Sequence, residues 1–294
     1  MSNILLHAGK ATAAVRLKGA QFISFKGADG RELMWQGDPA VWPNYAPVLF
    51  PVCGAVPNEG LSIGGKMYPM TKHGFTRNPD FRVVRQGEDF VELVLTPTEE
   101  SKPMYPFEFA FHVIYTITET GYTTTFMVEN LDSKVMPFCV GGHPGFIVPM
   151  EEGAAFEDYQ LVFPCVEDGK NSLAPNGYII TGSEYLDCFH NSDTLPLSHD
   201  LFDSRDALIF TELKSRSVKL VHKETGHGIN FSFPKMEVLA VWSKPNANAP
   251  YLCLEPWHGQ PSTDKESGRM EDKAFVTMLE PGKAWQGSFT VQLI

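Results

Sequence analysis

The stretch 107-FEFAFHVIYTI-117 decides the fold class. Phe107, Phe109, Phe111, Val113, Tyr115 and Ile117 fall on one face of an extended chain, and Glu108, Ala110, His112, Ile114 and Thr116 on the other. Successive side chains of a strand point to opposite faces, so this alternation predicts a long, half-buried strand. The chain then turns at Glu119-Thr120-Gly121 and returns as 122-YTTTFMVEN-130, again alternating. The pair predicts an antiparallel hairpin.

The same signal recurs on both sides of the hairpin. Strands are expected at 90-FVELVLT-96, 159-YQLVFP-164, 207-ALIFTEL-213, 217-SVKLVHK-223, 229-INFSF-233, 238-VLAVWS-243 and 285-WQGSFTVQLI-294. The Gly64-Gly65 pair in 61-LSIGGKMY-68 reads as a two-residue hairpin turn. Helical periodicity is weak throughout; 151-EEGAAFEDY-159 and 262-STDKESG-268 would give a turn or two. With 25 glycines and 22 prolines as punctuation, the expected class is all-β, a large antiparallel sandwich or barrel. No composition break, internal repeat or low-complexity tract divides the 294 residues, so residues 1–294 are expected to form one domain.

Composition narrows the partners. A formal net charge of −11 argues against nucleic acid and anionic membrane surfaces, which both require basic patches. A small polar molecule fits that charge. The five cysteines, Cys53, Cys139, Cys165, Cys188 and Cys253, show no CxxC spacing, which suits reduced thiols and argues against zinc ligation by them. No apolar run resembles a signal peptide or a membrane span, so a soluble cytoplasmic protein is expected.

Three segments break the alternation with polar residues at strand ends: 71-TKHGFTRN-78, 141-GGHPGF-146 and 252-LCLEPWHG-259. Each carries a titratable group, His73, His143 or Glu255, beside glycine or proline and an aromatic ring. Pro144 and Pro256 hold the residues before them extended, because the proline ring clashes with an α-region predecessor. If 137-PFCVGGH-143 is a strand, His143 shares a face with Cys139 and Gly141. The two glycines there point to close approach of a ligand or another backbone. Glu255 shares a face with Tyr251 and Cys253, and Trp257 could give the apolar face of a sugar ring a flat wall. Arg77 and Asn78 can donate to hydroxyls or an anion. A lone histidine in a strand usually packs or faces water, and His7, His112, His190, His199, His222, His227 and His258 take that reading.

These segments, in this order, resemble the aldose 1-epimerase (galactose mutarotase-like) superfamily, and most closely its LacX-type branch. The resemblance rests on 35-WQGDP-39, 49-LFPVCG-54, 73-HGFTR-77, 141-GGHPGF-146, 206-DALIF-210, 242-WSKPNA-247 and 253-CLEPWHG-259, which span nearly the whole chain. It implies a large twisted antiparallel β-sandwich with a sugar cleft on one sheet, the galactose mutarotase-like supersandwich. It implies Glu255 as catalytic base and His143 as catalytic acid. It implies His73, Arg77 and Asp206 as substrate-binding residues, joined by Trp257 and, as a second wall, Trp35. One departure stands out: the family commonly has an arginine where this chain has Ala55, which disfavours a phosphorylated sugar unless Arg77 and Lys72 compensate.

Anomer interconversion needs a base for the C1 hydroxyl proton and an acid for the ring oxygen, with the roles exchanged on reclosure. A glutamate and a histidine suit this at neutral pH, and no metal or redox cofactor is required. The expected partner is therefore a hexose, free or phosphorylated, with a homodimer left open. A non-catalytic sugar-binding or sensing protein on the same scaffold is the rival reading. A glycoside hydrolase would need two carboxylates, and only Glu255 sits in a motif.

Overall fold

The computed structural model describes residues 3–168, 171–172, 174–182, 184–185, 189 and 191–294. Cys188 and His190 lie outside the described residues. The alternating stretch forms the strand Phe109–Thr118, and its return forms Gly121–Asn130, paired in register from Thr118↔Gly121 to Phe109↔Asn130. Phe109, Phe111, Val113, Tyr115 and Ile117 are buried, while Thr116 and Thr118 face water, as a period of two requires.

The hairpin sits within a nine-stranded sheet. In spatial order this runs Thr194–Pro196, Tyr159–Val162, Ser217–His222, Gly228–Ser232, Ala284–Leu293, Gly121–Asn130, Phe109–Thr118, Phe90–Leu95 and Arg82–Gln86. A second sheet orders Ala207–Phe210, Val238–Trp242, Tyr251–His258, Val140–Gly142 and Val48–Leu49, with Gly145–Ile147 also paired to Tyr251–His258. Every pairing in the two sheets is antiparallel. Phe111, Phe126, Phe231 and Phe289 from the large sheet join Val140, Leu239, Leu252 and Leu254 from the small one in a single buried cluster. Burying large apolar side chains between two sheets is what stabilises a sandwich, at roughly 1.5–3 kcal/mol each. The architecture is the all-β sandwich that the alternation implies.

Because Leu252 and Leu254 face this core, Tyr251, Cys253, Glu255 and Trp257 face the other side of the small sheet. That outer side is covered by loops, which is why Tyr251–His258 is buried along almost all its length.

Two expectations need correction. The stretch 137–143 is not one strand. Met136–Phe138 pairs with Thr277–Leu279, whereas Val140–Gly142 lies between Tyr251–His258 and Val48–Leu49, and the Cys139 amide at the break donates to Pro51 O at 2.8 Å. Of the two stretches expected to give a helical turn, 151–159 holds the single 3-10 turn Phe156–Asp158, but 262–268 holds none. The α-helical turn Asp200–Asp203 is too short for any periodicity to announce it. The Gly64-Gly65 turn is as expected, with φ of 57° and 82° joining Gly60–Ile63 to Lys66–Pro69. Among the described residues no helix is long and apolar enough to cross a membrane.

Candidate functional site

His143 follows directly on Val140–Gly142, and its amide donates to Pro47 O at 2.9 Å. Glu255 lies mid-strand opposite Ala240. Although 112 positions separate them in the sequence, His143 Nε2 lies 3.2 Å from Glu255 Oε1. Both side chains are buried, at 6% and 3% exposure, yet both line a cavity of about 390 Å³. His143 Nδ1 and Glu255 Oε2 have no hydrogen-bond partner. Buried polar atoms are normally paired, so two orphans at a cavity wall mark a place where a ligand's hydroxyls would complete the network.

Burial pushes the Glu255 carboxyl well above the ordinary carboxylate range, against the pull of Lys72 and Arg77. It pushes the His143 imidazole well below its usual value, with Arg77 adding to the effect. Both shifts disfavour charge, so burial favours the neutral form of the pair over its ion pair. A single proton passing across the contact would let one group give while the other takes.

His73 is fixed by an unusual backbone. Its φ is 67°, a left-handed conformation costing roughly 1–3 kcal/mol in a non-glycine residue. Two bonds to Gly54 hold it there: the His73 amide donates to Gly54 O at 2.9 Å, and the Gly54 amide donates to His73 Nδ1 at 3.0 Å. Nδ1 therefore keeps its lone pair, and the neutral ring carries its proton on Nε2. Burial, reinforced by Arg77 and His143, lowers the His73 pKa well below its ordinary value. The imidazole is thus a neutral hydrogen-bond donor on the cavity wall. Gly74 must be glycine, because a Cβ would lie 2.0 Å from Phe50 O.

Arg77, Asp206 and Trp257 also line the cavity, so the fold brings together all six residues singled out in the sequence. Arg77 Nε is buried without a partner, and desolvation lowers the guanidinium pKa from its ordinary value. Asp206, at φ 68°, accepts from Trp242 Nε1 at 3.1 Å and so anchors an indole as well as facing the cavity. Trp257 Nε1 is buried and unpartnered. Trp35 does not line the cavity. It packs on Tyr251 at 4.8 Å between ring centroids and donates from Nε1 to Trp42 O at 2.8 Å. The wall expected of Trp35 is made instead by Trp42, stacked on His143 at 5.0 Å, and by Trp242, edge-on to it at 5.7 Å.

The paired glycines also serve differently from expectation. A Cβ on Gly141 would lie 2.5 Å from Trp257 Cδ1, and one on Gly142 would lie 2.8 Å from Phe289 Cε1. They make room for protein walls, not for a ligand. The motif 41-VWPNY-45 carried no signal beyond a tryptophan before a proline, and 242-WSKPNA-247 was visible only as a landmark without a role.

The cavity's charge runs opposite to that of the chain. Lys72, Arg77 and Lys244 line it, and none of them pairs with an acidic side chain among the described residues. Lys244 Nζ donates only to Val41 O, at 2.6 Å. Ala55 bonds Gly177 and Ser262 through its backbone. A Cβ on Gly177 would meet Lys72 Nζ at 2.8 Å and Ala55 N at 3.7 Å. The Lys72 ammonium thus borders the place where Ala55 departs from the arginine common in the resembled family.

Comparison with known proteins places the chain among relatives. The family model described as aldose 1-epimerase matches residues 2–288. A plasmid-encoded protein LacX of Lactococcus lactis subsp. lactis is 33% identical over 293 residues, covering 96% of each chain. A galactose mutarotase related enzyme of Lactobacillus acidophilus superposes with a TM-score of 0.93 at 31% identity, covering all of this chain and 97% of that one. A putative glucose-6-phosphate 1-epimerase of Cenchrus ciliaris is 26% identical over 99% of this chain and 84% of its own.

Proposed function

Because the chain belongs to the aldose 1-epimerase family, we propose that it interconverts the α and β anomers of a hexose by acid–base ring opening. The observation that carries this reading is the 3.2 Å contact between His143 Nε2 and Glu255 Oε1 on the wall of an open cavity. At about 390 Å³ the cavity falls within the range of roughly 300–1,000 Å³ usual for small-molecule sites.

In this mechanism the pair reacts as its ion-pair tautomer, reached when the proton crosses the 3.2 Å contact from Glu255 to His143: Glu255 then takes the proton from the C1 hydroxyl while His143 gives one to the ring oxygen. The C1–O5 bond breaks, the aldehyde end rotates, and the ring closes with the two groups in exchanged roles. A shared single proton makes that exchange symmetric, and it restores the starting state at the end of each turnover. His73 Nε2–H and the free Arg77 Nε–H donate to sugar oxygens. Trp42, Trp242 and Trp257 supply apolar faces and keep bulk water from the pair.

A second reading concerns the substrate's charge. Three cations that pair with no acidic side chain among the described residues, around one cavity in a chain of net charge −11, favour an aldose bearing an anionic group such as a phosphate ester. The Lys72 ammonium beside Ala55 supports this, as does the relative named a putative glucose-6-phosphate 1-epimerase.

Polarimetry on freshly dissolved α-glucose, α-galactose and their 6-phosphates tests both readings. Acceleration of any one supports the epimerase. A preference for the phosphates that Lys72→Ala removes supports the second reading. Saturable sugar binding without acceleration would overturn catalysis in favour of a sugar-binding or sensing role.

A further inference from the structure

His143, Cys253 and Glu255 each place one potential ligand atom within 4.8 Å of the others, and all three side chains are buried. Cys253 and Glu255 stand two apart on Tyr251–His258 and so share its outer face, while His143 enters from the end of the neighbouring strand. An imidazole nitrogen, a thiolate and a carboxylate are a donor set for zinc, with bonds of about 2.0–2.3 Å. Such bonds put tetrahedral ligands roughly 3–4 Å apart, so side-chain movements of about an ångström would close the cluster. Independently, His143 Nδ1 and Glu255 Oε2 are buried with no partner. The cavity reaches His143 and Glu255, with Cys253 behind them, and gives a route in.

We propose that His143, Cys253 and Glu255 form a site for one thiophilic divalent cation, Zn²⁺ or Cd²⁺. One M²⁺ enters, and the thiol proton of Cys253 leaves together with any proton held on the His143 or Glu255 ligand atoms, because metal ligands bind deprotonated. Resting on the epimerase reading, the consequence is dead-end inhibition, because the bound ion takes both proton-transfer groups out of use. The site was hidden in the sequence because no two of its members stand at CxxC-like or HxxxH-like spacing.

The test is titration of the purified, metal-free full chain with Cd²⁺, followed by calorimetry and by the ultraviolet charge-transfer absorption of a cadmium–thiolate bond. One equivalent is expected to bind with that absorption. Cys253→Ser is expected to abolish the absorption, and His143→Gln to weaken binding at least about tenfold. Cys165→Ser, which alters the one exposed free cysteine among the described residues, is expected to leave both unchanged. Should Cys253→Ser fail to fold, His143→Gln decides alone. Absence of one-equivalent binding, or full thiolate absorption in a folded Cys253→Ser protein, overturns the proposal, as does loss of the signal in Cys165→Ser. The readout does not depend on turnover. A chain that binds Cd²⁺ at this site but accelerates no sugar would sink only the epimerase reading; an active one indifferent to Cd²⁺ would sink only the metal site.

Discussion

Replacing Glu255 by glutamine separates the chemistry of this carboxyl from the energetics of its burial. The amide has the carboxyl's shape. Oε2 has no partner to lose, and the 3.2 Å contact of Oε1 with His143 Nε2 is one an amide can keep, so the variant should fold. It cannot take a proton from C1. A positioned acid or base contributes about 10²–10⁴-fold, so the mutarotation rate should fall at least about a hundredfold, some 3 kcal/mol of barrier. Stability should move the other way. Burial raises the folded-state pKa of Glu255 above the ordinary 4.5, so the folded protein holds this proton more tightly than the unfolded chain does. Relative to a chain without this carboxyl, the wild type therefore loses stability as pH rises from about 4.5 to the raised pKa, by about 1.4 kcal/mol for each pH unit of that interval. The glutamine variant has no such loss. The two proteins should melt alike near pH 4, and the variant should become the more stable as pH increases. Polarimetry gives the rate, and thermal melting across pH gives the stability. A folded variant with near-normal rates would refute the base role. A variant less stable than the wild type at neutral pH would refute the account of burial.

Three further outcomes follow from the same geometry. His143→Asn should also cut mutarotation at least about a hundredfold, and the wild-type rate should follow a bell in pH. It should fall in acid as the His143–Glu255 pair gains a second proton and in alkali as it gives up its only one; a flat pH–rate profile would contradict the shared proton. Trp42→Ala removes the ring stacked on His143 and should lower kcat/KM by up to about tenfold, measured by steady-state kinetics, whereas Trp35→Phe, which frees Trp42 O and trims the packing on Tyr251 outside the cavity, should do much less. Gly141→Ala would press a methyl to 2.5 Å from Trp257 Cδ1 and 3.0 Å from Pro256 O, and should destabilise by about 1–3 kcal/mol in a denaturant titration.

The strand Phe109–Thr118 shows how much of the fold was legible in advance. Its alternation is a local property, because one face meets a core and the other meets water, and hydrophobicity records that difference residue by residue. The strand Tyr251–His258 had only a partial signature. Both its faces are covered, so the burial of Tyr251 and Cys253 on the outer side follows from loops far away in the chain. The break at Cys139 was invisible for a similar reason: it exists because Met136–Phe138 and Val140–Gly142 find different partners, which no local pattern specifies.

By itself, the sequence determined the β class, the approximate places of the hairpin turns and the identity of the groups with chemistry to offer. Those depend on side-chain period, turn residues and proline-restricted backbone, all of which act within a few positions. Only the tertiary structure decided that the indoles against His143 are Trp42 and Trp242 instead of Trp35, and that glycines 141 and 142 seat protein walls. It also decided that Glu255 and His143 face each other in surroundings that disfavour charge on either. Distance and desolvation are set by which strands become neighbours, and that pairing is a property of the whole chain.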